Sequence, residues 1–175
     1  FELETTSLKP LEAKIILIAL SWQVGLGVTI KWNAFSTKQK DKLQEIFLSK
    51  KEKIGHNLKY DIQVLWANKV RIFGPLFDTL PAIALINENL KAKTLDVLTL
   101  HYLDLGEYWN PLNKFKAEYL KNHKMKKEDF KYDMIPYNIL SPYAQCDADA
   151  THRLYNIFKK ELNQQKLTNF YKQGL

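Results

Sequence analysis

Three short stretches carry side chains whose types and spacing could do chemistry. Phe1-Glu2-Leu3-Glu4 alternates apolar and acidic residues before Thr5-Thr6-Ser7, the period of a strand that ends in a turn. Glu2 and Glu4 then share one face, and like charges so placed resist joint ionisation unless a cation or a proton neutralises them. The alternative is a pair of acidic residues on the wet face of an edge strand. Asn57 and Asp61 stand four apart, as do Tyr143 and Asp147, so each pair falls on one face of a helix. Either pair in isolation is accounted for by a cap or an ion pair. Together, one strand and two helices supply four carboxylates and a phenol with no His or Cys companion. Such an all-oxygen set suits a hard cation, Mg²⁺ or Mn²⁺, rather than structural zinc. The chemistry it favours is phosphodiester hydrolysis, in which two divalent ions ~3.5 to 4 Å apart activate a water and stabilise the departing oxygen. The Tyr143 hydroxyl is able to orient the attacking water.

The elements needed to position these groups follow from the pattern of the chain. Residues 14–22 are almost continuously apolar, as a central strand covered on both faces must be. Gly25 and Gly27 break the run, and residues 28–32 return as a hairpin partner, so the chain opens with a three-stranded meander. Ser36 or Thr37 caps a helix to about Leu48, with Leu43, Ile46 and Phe47 at helical spacing. Residues 53–56 read as a short strand and Asn57 as the cap of a helix over 58–68, with Leu58, Ile62 and Leu65 on one face. This step delivers Asn57 and Asp61 to the C-terminal end of a strand, where open α/β sheets place their ligands. Residues 70–73 read as another strand, Asp78-Thr79 as the start of a helix to Asn87, and Thr94 as the cap of a helix that turns Leu95, Leu98, Tyr102 and Leu103 inward. Residues 106–135 are Lys-rich and weakly periodic, a loop with at most a short helix. Ser141-Pro142 has the form of a helix start. From there Tyr143, Asp147, Ala150, Leu154 and Phe158 recur on one face to about Gln164, and residues 167–175 form an exit segment.

Composition bounds the partners. The 175 residues are the length of one ordinary domain, and 46% hydrophobic with 13% aromatic residues is enough for a sizeable core. No apolar run approaches the ~20 residues of a membrane span, so no membrane partner is expected. The net charge of +7 favours a polyanion, although the lysines between Lys114 and Lys131 are also what a solvated surface would carry. Cys146 is the single cysteine, which excludes an internal disulfide and fits a reducing compartment. The abrupt start at Phe1 suggests a domain cut from a longer polypeptide.

Phe1-Glu2-Leu3-Glu4-Thr5, Gly55-His56-Asn57-Leu58-Lys59-Tyr60-Asp61 and Tyr143-Ala144-Gln145-Cys146-Asp147-Ala148-Asp149 resemble, in order and spacing, the three exonuclease motifs of the proofreading domain of family A DNA polymerases, the bacterial DNA polymerase I group. Phe77-Asp78-Thr79 resembles the segment between that family's second and third motifs. The resemblance covers nearly the whole chain. It implies a single 3′–5′ exonuclease domain over 1–175, part of a longer polymerase, of the tyrosine subclass of the DEDD superfamily. The fold it implies is α/β and RNase H-like: a mixed sheet of about five strands, the first three antiparallel, with helices on both faces. The implied activity is removal of nucleotides from single-stranded DNA 3′ ends in bacterial, viral or organellar replication, in the cytoplasm or another reducing compartment.

By the same resemblance Glu2, Glu4, Asp61 and Asp147 are ligands of two divalent cations, with Glu4 and Asp147 also catalytic. Tyr143 orients the water. Thr5 and Leu8 contact the terminal nucleotides, Leu8 as an apolar wedge against a base, Asn57 supports the nucleic-acid site near the phosphate or sugar, and the polymerase domain of the same polypeptide is the protein partner. Asp149, two residues beyond Asp147, faces away and is structural, as is His56. The family's first motif is Asp-x-Glu, whereas this chain has Glu2-x-Glu4. One extra methylene moves the carboxylate by ~1.3 to 1.5 Å, a misplacement that costs on the order of 100-fold in rate unless the pocket is shaped for it. The alternatives are therefore a catalytically weakened DNA-binding module of a polymerase, or a free-standing RNase D-like exoribonuclease that shares the same carboxylates.

Overall fold

The long apolar run is a strand buried from both sides, and the rest of the molecule is layered on it. In the computed structural model, which describes residues 1–174, β1 (Glu2–Thr5), β2 (Ile15–Gln23) and β3 (Leu26–Lys31) form an antiparallel meander in that order. Ile18 packs with Leu3, Leu43, Phe47 and Leu65 on one face. Leu17 and Ala19 pack with Ala144 and Ala148 on the other. β4 (Lys53–Gly55) and β5 (Leu76–Asp78) pair in parallel, and the Phe1 amino group donates to the Ile54 carbonyl at 2.6 Å, which sets β4 beside β1. The five strands, of mixed direction as expected, pair as a three-stranded antiparallel sheet and a two-stranded parallel one rather than as one continuous sheet.

Helices α1 (Thr37–Leu48) and α2 (Leu58–Ala67) cover the Leu3 and Ile18 face. Ser36 begins α1 with a capping box, accepting from Gln39 N–H while the Gln39 side chain accepts from Ser36 N–H. The opposite face carries α5 (Asn110–Asn122) and the 28-residue α6 (Tyr137–Gln164). A third group around Phe77, Leu98 and Phe158 joins α3 (Thr79–Ile86), α4 (Leu95–Tyr102), α6 and α7 (Thr168–Gln173).

α6 is fastened to the β2–β3 hairpin at three points one turn apart. Ser141 hydrogen-bonds the Thr29 hydroxyl, Gln145 Nε2 donates to the Gly27 carbonyl, and Asp149 accepts from the Gly25 amide at 2.6 Å. Asp149 is also paired with Arg153 at 2.8 Å, the structural role expected of it. Alanine at 144 and 148 lets the helix lie close on β2, because a small side chain shortens the distance between packed backbones.

Four expectations are corrected. The helix start read at Ser141-Pro142 lies instead at Pro136, whose carbonyl accepts from Ile139 and Leu140, and Pro142 sits inside α6. Packing of Leu140 in the core and the Ser141–Thr29 bond hold the first turn despite the proline's missing donor. Residues 70–73 are irregular rather than a strand. Val70 and Ile72 pack inward, but Phe73 is 70% exposed and Gly74, at φ +90, turns the chain so that residues 76–78 take the place beside β4. Residues 106–135 hold a full helix, α5, with Pro111 in its first turn, and 3₁₀ turns at Lys127–Asp129 and Tyr132–Met134. Its inward face is Leu112, Phe115, Tyr119 and Leu120, and the Lys116 ammonium lies over Phe130 and Tyr132. The exit segment is helical over α7, with Leu175 outside the described residues.

Candidate active site

β1 places Glu2 and Glu4 on one side of the sheet, opposite Ala19 and Leu17 of β2, which is the side α6 covers. The register with β2 slips between Glu4 and Thr5, and such a bulge re-aims the side chains beside it. Glu4 is buried and Glu2 half-buried. Across from them, α6 presents Tyr143, Asp147 and Thr151, each one turn apart. Thr151 Oγ1 donates to Glu2 Oε1 at 2.7 Å. Asp61 enters from the first turn of α2 and is buried.

The electrostatics are those of a carboxylate cluster. Burial raises the pKa of Glu4 well above the usual range, and the charges of Asp147, Glu2 and Asp61 raise it further. Glu2 is likewise raised by burial and by Asp61, against the charge of the Phe1 amino group and the Thr151 hydrogen bond, which favour its charged form. Burial lifts Asp61 to about 7, opposed first by the charge of the Phe1 amino group and then by the backbone amides of Asp61 and Leu3. Burial also lifts Asp147 to about 7, opposed by hydrogen bonds from Tyr108 and Tyr143. The phenols of Tyr143 and Tyr108 are pushed up by burial and by Asp147, so both remain donors.

Among the described residues no three His, Cys, Asp or Glu side chains stand in a group that could hold a metal ion as placed. The donor chemistry fits a divalent cation all the same. Four carboxylates from three elements repel one another and gain by neutralisation, and Glu2 and Asp147 are each partnered by a hydroxyl donor, which a cation could replace.

The residues expected to contact nucleotides lie at the end of β1, in the turn after it and at the start of α2. Thr5 is half-buried, its hydroxyl beside that of Tyr60, and Tyr60 also donates to the Ser7 carbonyl. Leu8 is 94% exposed. Asn57 occupies the cap position of α2 but makes no side-chain cap; it adopts φ +59 and is exposed. The cap is supplied by Asp78, whose carboxylate accepts from the amides of Asn57 at 2.8 Å, Leu58 at 2.7 Å and Leu80 at 2.9 Å. His56 hydrogen-bonds Thr79 at 2.8 Å, a structural contact.

Three groups at the site escape a reading by spacing. Tyr108, in the loop before α5, donates to Asp147 Oδ1 at 2.6 Å, with its ring 6.1 Å from that of Tyr143. Tyr132, raised to about 12 by burial and then by Glu4 and Asp147, borders the same carboxylates. Thr151 is the third. The only signal for it in the sequence is its place four residues beyond Asp147.

Comparison with known proteins identifies the family. A model of the 3′–5′ exonuclease of family A DNA polymerases matches residues 1–163. The chain belongs to this exonuclease family. Its relatives include the DNA polymerase of Escherichia phage T5, 35% identical over 98% of the chain, and DNA polymerase I of Borreliella burgdorferi, 31% identical over 94%. The exonuclease chain spans 21% and 17% of those two proteins. NrnC of Brucella melitensis, solved bound to pGG, superposes with a TM-score of 0.73 over 98% of the exonuclease chain and 76% of its own, at 19% identity. The fold is therefore RNase H-like. Among the described residues no helix is long and apolar enough to cross a membrane.

Proposed function

We propose that this exonuclease edits the 3′ end of single-stranded DNA for a family A DNA polymerase of which it is one domain, in the reducing compartment where that polymerase replicates DNA. The observation that supports it most is the approach of residues from three distant stretches: the charges of Asp147, Glu2 and Asp61 all raise the pKa of Glu4, and those of Asp147 and Glu4 raise that of the Tyr143 phenol.

Glu2, Glu4, Asp61 and Asp147 would hold two divalent cations, Mg²⁺ or Mn²⁺. When bound, such cations lower the pKa of water and neutralise charge on the departing oxygen. Tyr143, held protonated by burial, accepts or donates one hydrogen bond to the attacking water and fixes its line of approach to phosphorus. The water oxygen bonds to phosphorus, the bond from phosphorus to the preceding 3′ oxygen breaks, and that oxygen takes a proton. The products are a nucleoside 5′-monophosphate and a strand one residue shorter. Leu8, exposed on the surface, would press on a terminal base, Thr5 would contact the terminal nucleotides, and Asn57 would support the phosphate or sugar.

The test is direct. The purified chain, given Mn²⁺ or Mg²⁺ and a 5′-labelled single strand, shortens it stepwise from the 3′ end, and EDTA stops it. Full activity in excess EDTA rejects the proposal. Faster degradation of the matching ribo-oligonucleotide favours the RNA-directed alternative instead.

A further inference from the structure

Granting the hydrolytic role proposed above for the site, we propose that Thr151 is a positioning residue that fixes the Glu2 carboxylate, so that glutamate is the fitted side chain at this place. A threonine inside a helix ordinarily turns its hydroxyl back to the carbonyl four residues earlier. Thr151 is fully buried, and its hydroxyl goes instead to Glu2 Oε1, 149 residues away in the chain, at 2.7 Å. It stands one turn beyond Asp147, on the row of α6 that faces β1.

Length decides the match. Glu2 sits on the half-buried end of a four-residue strand, and its side chain has three rotatable bonds to fix. One hydrogen bond near its tip restricts where the second carboxylate oxygen lies. Aspartate at the same backbone position would end about 1.5 Å short. That stretches a 2.7 Å contact beyond hydrogen-bonding range. Thr151 and Glu2 are therefore matched in reach: the hydroxyl stands where a glutamate, and not an aspartate, arrives. The contact holds one carboxylate oxygen and leaves the other unbonded to Thr151, and the charges of Asp61 and Asp147 act on the same carboxylate.

The experiment uses the purified chain and four variants, Thr151→Val, Thr151→Ser, Glu2→Asp and the double variant E2D/T151V, each checked by thermal melting, with Thr151→Ala in reserve should the valine variant not fold. Single-stranded DNA hydrolysis in Mn²⁺ and Mn²⁺ binding without DNA are both measured. Thr151→Val is expected to lower kcat about 10-fold at unchanged KM and to weaken Mn²⁺ binding several-fold, consistent with the loss of one hydrogen bond to a charged group. Thr151→Ser stays within about two-fold, because it keeps the hydroxyl. Glu2→Asp loses activity rather than gaining it, and adding Thr151→Val to it costs nothing more, as coupled residues require. A Thr151→Val variant within two-fold of the parent in both measurements overturns the proposal, as does a serine variant equally impaired, a faster Glu2→Asp, or additive losses. If the parent chain fails to shorten DNA, the hydrolytic reading itself fails, and Mn²⁺ binding decides the positioning role. Weakening by Thr151→Val with recovery in Thr151→Ser supports it, and unchanged binding overturns it.

Discussion

Tyr108 donates its hydroxyl proton to Asp147 Oδ1 across 2.6 Å, tying the loop before α5 to the middle of α6. A hydrogen bond to a charged acceptor contributes roughly 1.5 to 3 kcal/mol. Removing it frees one Asp147 oxygen to wander. Tyr108→Phe is therefore expected to reduce kcat by about 10-fold while changing single-strand affinity by less than about two-fold. Tyr143→Phe, at a residue that touches the same carboxylate and whose hydroxyl is proposed to orient the water, should cost more, about 100-fold. Steady-state rates and direct DNA binding on the two variants check both, and equal losses of rate and affinity would reject the assignment of Tyr143.

The raised carboxyl groups make metal-free stability depend on pH with a definite sign. Asp61 and Asp147 go from an ordinary 3.8 to about 7 on folding, and Glu2 and Glu4 are raised as well. A group so raised contributes stability that is fully present below its unfolded value and is lost as pH climbs through its folded one. In EDTA the melting temperature should therefore lose this contribution between about pH 4 and 7. A divalent cation that binds only the folded, ionised cluster restores it. The gap in melting temperature between Mn²⁺ and EDTA samples should widen from pH 5 to pH 8, and a gap that is constant with pH would contradict the cluster.

Leu8 is 94% exposed and holds nothing in the fold. Leu8→Ala should leave the melting temperature unchanged within about 1 °C, since surface substitutions away from special features shift stability by less than about 0.5 kcal/mol. If the side chain presses on a terminal base, KM for single-stranded DNA rises several-fold, as losing about 1 kcal/mol of contact requires. Unchanged KM removes Leu8 from the DNA site.

Asp78 serves stability. Its carboxylate closes three backbone donors at the starts of α2 and α3, and its own amide donates to Tyr171 Oη at 2.7 Å. Asp78→Ala strands those donors and should cost about 3 kcal/mol. For a chain of this size that is a drop of roughly 6 to 12 °C in melting temperature. Because Asn57 and Asp61 hang on the same turn, activity should fall even well below the new midpoint.

The carboxylates were readable because β1 alternates with period two and α2 and α6 each carry their pair four apart, so backbone geometry alone puts them on shared faces. The meander was readable because a strand covered on both sides must be apolar throughout. Tyr108 was not readable: it reaches Asp147 from a loop 39 residues earlier, and no local period links them. Thr151 has the right period but the wrong chemistry to stand out, since its role depends on a partner at the other end of the chain. The start of α6 was misplaced because Pro142 has the form of a first-turn proline while tertiary contacts at Leu140 and Ser141 carry the helix past it. Helix α5 was masked because its apolar face is split between aliphatic and aromatic residues amid lysines, one of which, Lys116, lies over Phe130 and Tyr132.

The three fastenings of α6 to the β2–β3 hairpin have a metric consequence. Four residues of helix advance about 6.0 Å, and two residues of extended strand about 6.6 to 6.8 Å. Ser141, Gln145 and Asp149 step along the helix in fours while Thr29, Gly27 and Gly25 step along the hairpin in twos, so the two elements mesh like a rack and a toothed rod. Neither can slide by one residue without unmeshing all three teeth. Tyr143, Asp147 and Thr151 ride on the same rod, and their height above β1 is thereby gauged from the far edge of the sheet.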